Sequence, residues 1–272
     1  MAGRTIVITS GKGGVGKTTT TANIGSALAM RGNKVVVIDT DIGQRNLDII
    51  MGLENRIVYD LVNVIEGKCK LRQAMIRDKH NYELYLIPAA QSREKNCIEP
   101  EQLAELCREL ESEFDYVIID CPAGIEQGFK NAISAAKEAI IVTTPEVSAI
   151  RDADRVVGLL EASELHQPRL IINRISSEMV KRGDMMDKND IVELLAVEVL
   201  GLVPVDDRLI IAANRGTPAV HDKKSPAGAA FLRIAARIAG DEVPLMELEP
   251  KSGLLSRVKG LVGINGRVYS NA

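Results

Sequence analysis

The stretch that decides the fold runs from Thr5 to Thr21: Thr5-Ile6-Val7-Ile8-Thr9-Ser10-Gly11-Lys12-Gly13-Gly14-Val15-Gly16-Lys17-Thr18-Thr19-Thr20-Thr21. Its first five residues are β-branched throughout and apolar on both faces, which predicts a buried strand. Ser10 to Gly16 is a Gly-rich turn, and Lys17 to Met30 reads as a helix ended by Gly32. Gly11 to Thr18 fits G-x-x-x-x-G-K-[ST] in the strand–turn–helix context that this pattern requires. The physics is direct. Small residues let backbone N–H groups converge on a phosphate, and a helix N-terminus adds positive potential. Lys17 then reaches the outer phosphates, and the Thr18 hydroxyl ligates Mg²⁺. The bland alternative is a Gly-rich turn with no ligand, and the full motif in its proper place argues against it.

The pattern repeats along the chain. Strands are predicted at Lys34–Asp39, Glu83–Pro88, Asp115–Asp120, Ala139–Thr144, Arg169–Asn173 and Val199–Val203. Helices are predicted at Tyr59–Glu66, Pro100–Glu111, Ser148–Leu160 and Ala227–Ala239. The strands are apolar on both faces and alternate with helices. The expected class is therefore α/β, a mostly parallel doubly wound sheet flanked by helices. No repeat, low-complexity segment or interior linker interrupts it. One domain is expected over residues 1–250, followed by a tail at 251–272.

Composition agrees with this reading. Of 272 residues, 46% are hydrophobic and 3% aromatic, so the core must be Ile, Val, Leu and Ala. The four cysteines, Cys69, Cys97, Cys107 and Cys121, form no CxxC pair, which suits a reduced protein without a structural metal. No apolar run is long enough to span a membrane, and apolar strand-like residues begin at Ile6. A cytoplasmic chain, complete at its front, is expected.

The net charge of −3 hides an asymmetry. Residues 251–272 contain Lys251, Arg257, Lys259 and Arg267 and no acid, so the tail carries +4. The remaining 30 basic residues face all 37 acidic ones, which leaves −7 on residues 1–250. An acidic body is not a nucleic-acid-binding surface.

In sheets of this kind, ligands sit at the carboxyl ends of the strands. Asp39 and Asp41 follow the KVVVI strand, and Asp120 follows DYVII. Asp120 beside the phosphate loop suits a Mg²⁺-water ligand, with Thr18 and Asp41 in the same metal set. Asp41 is the candidate for orienting the attacking water. Gly124, in Pro122-Ala123-Gly124, offers a backbone N–H that senses the γ-phosphate. Turn-capping acids and an ordinary tight turn are the plain alternatives for these residues.

Lys12 is more telling. An ordinary phosphate loop needs only Lys17, yet here the loop reads K-G-G-V-G-K-T. This resembles the deviant Walker A ATPases, the P-loop family that includes MinD, ParA and the nitrogenase iron protein. The resemblance implies that Lys12 crosses to a partner subunit's phosphates, so that ATP drives homodimerisation. The catalytic set it implies is Lys12, Lys17 and Asp41. Its phosphate contacts would be Gly11, Lys12, Gly13, Gly14, Val15, Gly16, Lys17, Thr18 and Thr19, with Gly124 from the second switch.

Further matches are similar to the MinD branch of that family, the ATPases that position the bacterial division site. They include Asp39-Thr-Asp41-Ile-Gly-Gln-Arg-Asn-Leu-Asp48, Met51 to Asp60, Asp120 to Glu126, Pro145 to Arg155 and Arg182-Gly-Asp-Met185. They extend along the whole chain. Gln44 departs from the pattern, where an apolar residue such as Leu is expected, and could perturb the first switch. The resemblance implies that Asn173 hydrogen bonds the adenine edge, with Arg174 beside it, and that backbone at Pro204, Val205 and Asp206 closes the base pocket. It also implies a MinC-like division inhibitor and a MinE-like activator as partners, docking on Ser148, Arg151, Asp152, Asp154 and Arg155.

On a helix that starts at Leu254, Leu255, Val258, Leu261 and Val262 share with it an arc of about 120°. Arg257 and Lys259 lie outside it. This short basic amphipathic helix, about 253–263, resembles a membrane-targeting sequence, with an apolar stripe for the headgroup boundary and cations for anionic lipid. The expected location is therefore peripheral, on the cytoplasmic face of the inner membrane. A terminal helix docked on the body is the alternative. Two other functions fit the sequence less well. A ParA-like DNA-segregation ATPase needs a basic body, and an iron–sulfur carrier needs paired cysteines; the sequence has neither.

Overall fold

The computed structural model describes residues 3–80, 82–93 and 97–246. The tail residues Leu254, Leu255, Arg257, Val258, Lys259, Leu261 and Val262 lie outside them. Eight strands are described: β1 (Arg4–Thr9), β2 (Val35–Asp39), β3 (Ile76–Arg77), β4 (Leu84–Ile87), β5 (Tyr116–Asp120), β6 (Glu138–Thr143), β7 (Arg169–Ile175) and β8 (Glu198–Pro204). They form one sheet in the order β3-β4-β2-β5-β1-β6-β7-β8. Every pairing is parallel except that of β3 with β4. β1 sits mid-sheet between β5 and β6, where the chain reverses its direction of winding. That crevice is where ligands bind in doubly wound sheets.

Alternate residues of each central strand feed two cores. Val7, Val36 and Ile119 face one layer, with Leu103, Phe129, Ile150 and Ile191 from the overlying helices. Ile6, Ile8, Val37 and Ile118 face the other, with Ile24, Leu28, Phe231 and Ile234. Because both faces are covered, the strands show continuous apolar runs instead of alternation. Phe231 is fully buried, so its truncation to alanine removes about 3–5 kcal/mol.

Helices Lys17–Met30 and Pro100–Glu111 fall where the sequence places them. The helix expected at Tyr59–Glu66 is shorter, Leu61–Ile65, because the Asp60 side chain accepts the Asn63 N–H and caps it. Strand β7 runs past Asn173 to Ile175 through a register irregularity against β8. Six further short α-helices were not expected from sequence: Leu47–Met51, Leu71–Ala74, Gln127–Ser134, Ser177–Arg182, Lys188–Leu195 and Arg208–Asn214. Nor was the antiparallel pair made by β3. No helix among the described residues is long and apolar enough to cross a membrane.

Candidate functional site

Three adjacent strands deliver the site. β1 runs into the phosphate loop, β5 ends at Asp120 and β2 ends at Asp39. Ile8 of β1 and Asp39 of β2 both pair with Asp120. Parallel register therefore brings the loop and two carboxylates to one edge of the sheet.

The loop passes into the helix through Gly16 at φ 101, a left-handed conformation that favours glycine. A Cβ there would also lie 2.4 Å from Asn173 Nδ2. Gly11 is needed for a different reason: its Cβ would lie 2.2 Å from the Asp152 carbonyl. Lys17 opens the helix and is buried. Thr18 and Thr19 are half-buried, and Gly13 and Gly14 are exposed.

Asp120 is 1% exposed. Its Oδ1 accepts from the Thr21 hydroxyl at 2.9 Å. Its carbonyl accepts from the Thr40 hydroxyl at 2.7 Å and the Thr40 N–H at 3.1 Å. Asp39 is equally buried, and its carboxylate accepts the N–H groups of Asp41 at 2.9 Å and Leu47 at 3.2 Å. Asp39 thus holds both ends of the loop that carries Asp41. Burial and the mutual charge of Asp39 and Asp120 push the Asp39 carboxyl well above the usual range. Burial also raises Asp120, against the opposing pull of Lys17 and the hydroxyls of Thr18 and Thr21.

Asp41 is half-buried and lines a cavity of about 90 Å³ with Gln44, Pro122, Glu126 and Phe129. Gln44 is exposed there, so its polar side chain does not disturb the core, and its N–H bonds the Asp41 carbonyl at 3.1 Å. Gly124 adopts φ 90 with open space around it.

Lys12 takes a separate path. Its ammonium lies 3.1 Å from Glu146 Oε2 and 3.0 Å from Ser148 Oγ, on the surface. These partners sit at the start of helix Val147–Ala162. On that helix Ser148, Arg151, Asp154 and Arg155 are exposed, while Asp152 is half-buried with its carbonyl against Gly11. The surface expected to dock partners is therefore built onto the phosphate loop itself.

At the ends of β7 and β8 the expected base-pocket residues come together. Asn173 is 3% exposed; its Nδ2 donates to the Val15 carbonyl at 2.7 Å, and its Oδ1 accepts the Arg174 N–H at 2.9 Å. The amide expected at the adenine edge is thus also fastened to the phosphate loop. It retains one N–H and one lone pair. Arg174 follows at φ 57, exposed, and the Val205 N–H bonds the Ile175 carbonyl at 3.1 Å. The Asp206 carboxylate accepts from the Ser225 hydroxyl at 2.6 Å and the Ala227 N–H at 3.1 Å. Pro204, Val205 and Asp206 therefore offer backbone, not the carboxylate, to a base.

Four contacts of the candidate site have no signal in the sequence: those of Thr21 and Thr40 with Asp120, of Asp39 with its own loop, and of Glu146 with Lys12. The contacts of Thr21, Thr40 and Glu146 depend on strand order, which no local pattern encodes, whereas Asp39 reaches only Asp41 and Leu47 of its own loop.

Comparison with known proteins gives a consistent result. A family profile described as an AAA domain matches residues 3–170. The septum site-determining protein MinD of Bacillus subtilis is 56% identical over 265 residues, covering 96% of this chain and 99% of that protein. A chain of the MinC:MinD cell division protein complex of Aquifex aeolicus aligns with a TM-score of 0.85 at 49% identity, covering 90% of this chain and 98% of that one. The septum site-determining MinD of Pyrococcus horikoshii, complexed with Mg-ADP, aligns with a TM-score of 0.79 at 31% identity, covering 88% and 99%. A phosphate loop at the centre of a doubly wound sheet, with buried strand-end acids beside it, is what a nucleotide-hydrolysing site of this lineage needs, and the chain belongs to the septum site-determining MinD family of P-loop ATPases.

Proposed function

We propose that this ATPase closes into a homodimer around ATP and Mg²⁺ and holds the cytoplasmic face of the inner membrane through its paired basic tails. There it recruits a MinC-like division inhibitor, and a MinE-like activator releases it by promoting hydrolysis. The observation that carries this reading is the placement of Lys12. Its own chain's site already has Lys17, buried beside Asp120. Lys12 instead lies 40% exposed on the surface, bound to Glu146 and Ser148. A cation that one subunit does not need at its own phosphates is available to another's.

The donor set fits Mg²⁺. It consists of hard oxygens, and burial together with the charge of Asp41 raises the Asp120 carboxyl, which favours a counter-charge beside it. Thr18 would ligate it directly, and Asp120 and Asp41 would hold its waters. Mg²⁺ supplies charge neutralisation at the phosphates when bound. The chain's residues do the rest. Loop N–H groups and Lys17 fix the phosphates, and Asp41, facing the small cavity beside Gln44, orients water for in-line attack. The Gly124 N–H follows loss of the γ-phosphate. Asn173, Arg174 and the Pro204–Asp206 backbone frame the base.

One short amphipathic helix binds lipid weakly, and a dimer supplies two at high effective concentration. Dimerisation is therefore the switch for membrane residence. A DNA-segregating role is not favoured, because residues 1–250 carry −7. Two variants test the proposal. Lys17→Gln is expected to lose ATP binding and with it membrane residence. Deletion of residues 251–272 is expected to keep ATP binding and lose sedimentation with anionic vesicles. Normal membrane residence in either variant contradicts the proposal.

A further inference from the structure

We infer that Thr21 and Thr40 are positioning residues that clamp Asp120 from two sides and so register the metal-side carboxylate against the water-side Asp41. The inference rests on the proposed roles of Asp120 and Asp41 and adds two residues to them.

Thr21 lies one turn into helix Lys17–Met30, fully buried. Its hydroxyl is 2.9 Å from Asp120 Oδ1 and 3.1 Å from the Lys17 carbonyl. A hydroxyl has one proton to give. The shorter contact leads to the group that bears charge, and charge-assisted bonds are the stronger ones. The proton therefore goes to Asp120. With Oδ1 so held, the carboxylate cannot rotate freely, and Oδ2 keeps a fixed direction.

Thr40 works on the backbone of the same residue. It lies between Asp39 and Asp41 and is 6% exposed. Both its hydroxyl and its N–H donate to the Asp120 carbonyl, at 2.7 and 3.1 Å. Asp41 follows Thr40 directly, and its N–H is tied back to Asp39 Oδ1 at 2.9 Å. Any shift of the Asp41 loop thus pulls on Asp120, and the reverse holds. A helix at one side and a switch loop at the other are joined through one carboxylate residue. Partners that orient a metal's ligand alter metal affinity about 10–100-fold when removed.

The test uses the full-length protein with Thr21→Val, Thr21→Ser, Thr40→Val and Thr40→Ser. Valine keeps the shape and deletes the hydroxyl; serine restores the donor. Binding of a fluorescent ADP is titrated with Mg²⁺, so this readout needs no turnover. Thr21→Val is expected to raise the Mg²⁺ midpoint about tenfold, and Thr21→Ser to restore it. Thr40→Val is expected to lower kcat about tenfold with KM for ATP within twofold, and Thr40→Ser to recover it. Melting temperature reports folding alongside. A Thr21→Val protein that melts lower but keeps the wild-type Mg²⁺ midpoint overturns the clamp, as does a Thr40→Val protein with unchanged kcat. If fluorescent ADP binds the wild type with no Mg²⁺ dependence, the metal reading of Asp120 itself fails, which is a separate result.

Discussion

Lys12 Nζ lies 3.1 Å from Glu146 Oε2, a contact that joins the phosphate loop to the start of helix Val147–Ala162 within one chain. Lys12 holds the Glu146 carboxyl below the usual range. In the dimer proposed above, Lys12 cannot occupy both this pair and a partner's phosphates. The pair is exposed and therefore weak. Glu146→Gln is expected to leave thermal stability unchanged and to raise the ATP-dependent dimer fraction by up to about fivefold, read by sedimentation velocity. An unchanged dimer fraction means the pair does not compete with dimerisation.

The glycines of the loop differ in what they tolerate. A Cβ on Gly11 meets the Asp152 carbonyl at 2.2 Å, whereas one on Gly13 has only Ala123 Cβ at 3.7 Å. Gly11→Ala must push the loop and helix Val147–Ala162 apart, at a cost of about 1–3 kcal/mol. Gly13→Ala is expected to fold with wild-type stability. Urea denaturation of both variants compares them directly, and equal midpoints would count against this packing.

Far from the site, Glu138 receives Arg4 at 2.7 Å through two nitrogens and Arg169 at 2.9 Å. Burial by itself raises its carboxyl, but the two guanidiniums more than offset this, and its pKa lies below the usual 4.5. A depressed carboxyl stabilises the fold above its unfolded pKa, and that stability is lost as pH falls through the folded value. The group is partly exposed, so the effect is about 1 kcal/mol. Glu138→Gln is expected to be less stable than wild type at pH 7, with the gap closing between pH 5 and 3. A gap that persists at low pH would show that packing, not charge, holds Glu138.

The cysteines should separate by reactivity. Cys107 and Cys121 are 1% exposed, and burial pushes both thiols up to about 12. Cys69 and Cys97 are partly exposed. The thiolate is the nucleophile, so iodoacetamide at pH 8 is expected to modify Cys69 and Cys97 first in the folded protein. Peptide mass spectrometry reads the order, and early labelling of Cys121 would show that the segment behind Asp120 opens.

The parts of this molecule that were legible in its sequence are those with strong local patterns. Fully buried strands such as Val35–Asp39 read as apolar runs, and Lys17–Met30 is bounded by a glycine loop and Gly32. Helices such as Leu47–Met51 are shorter than the window that periodicity needs. β3 spans only two residues, and its antiparallel pairing is fixed by β4. In the site, Lys17, Thr18, Asp41 and Asp120 were legible from motif and strand end. The bond from Asn173 to Val15 was not, because a bulge in β7 and the order of three strands create it. The same holds for Thr40 on Asp120 and Glu146 on Lys12.

In the proposed function ATP, through dimerisation, places the basic tail on the membrane. Sedimentation of the full-length protein with anionic vesicles in ATP, in ADP and without nucleotide tests it most directly. Strong co-sedimentation is expected with ATP and little with ADP or no nucleotide. Equal co-sedimentation in all three, or none in ATP, contradicts it.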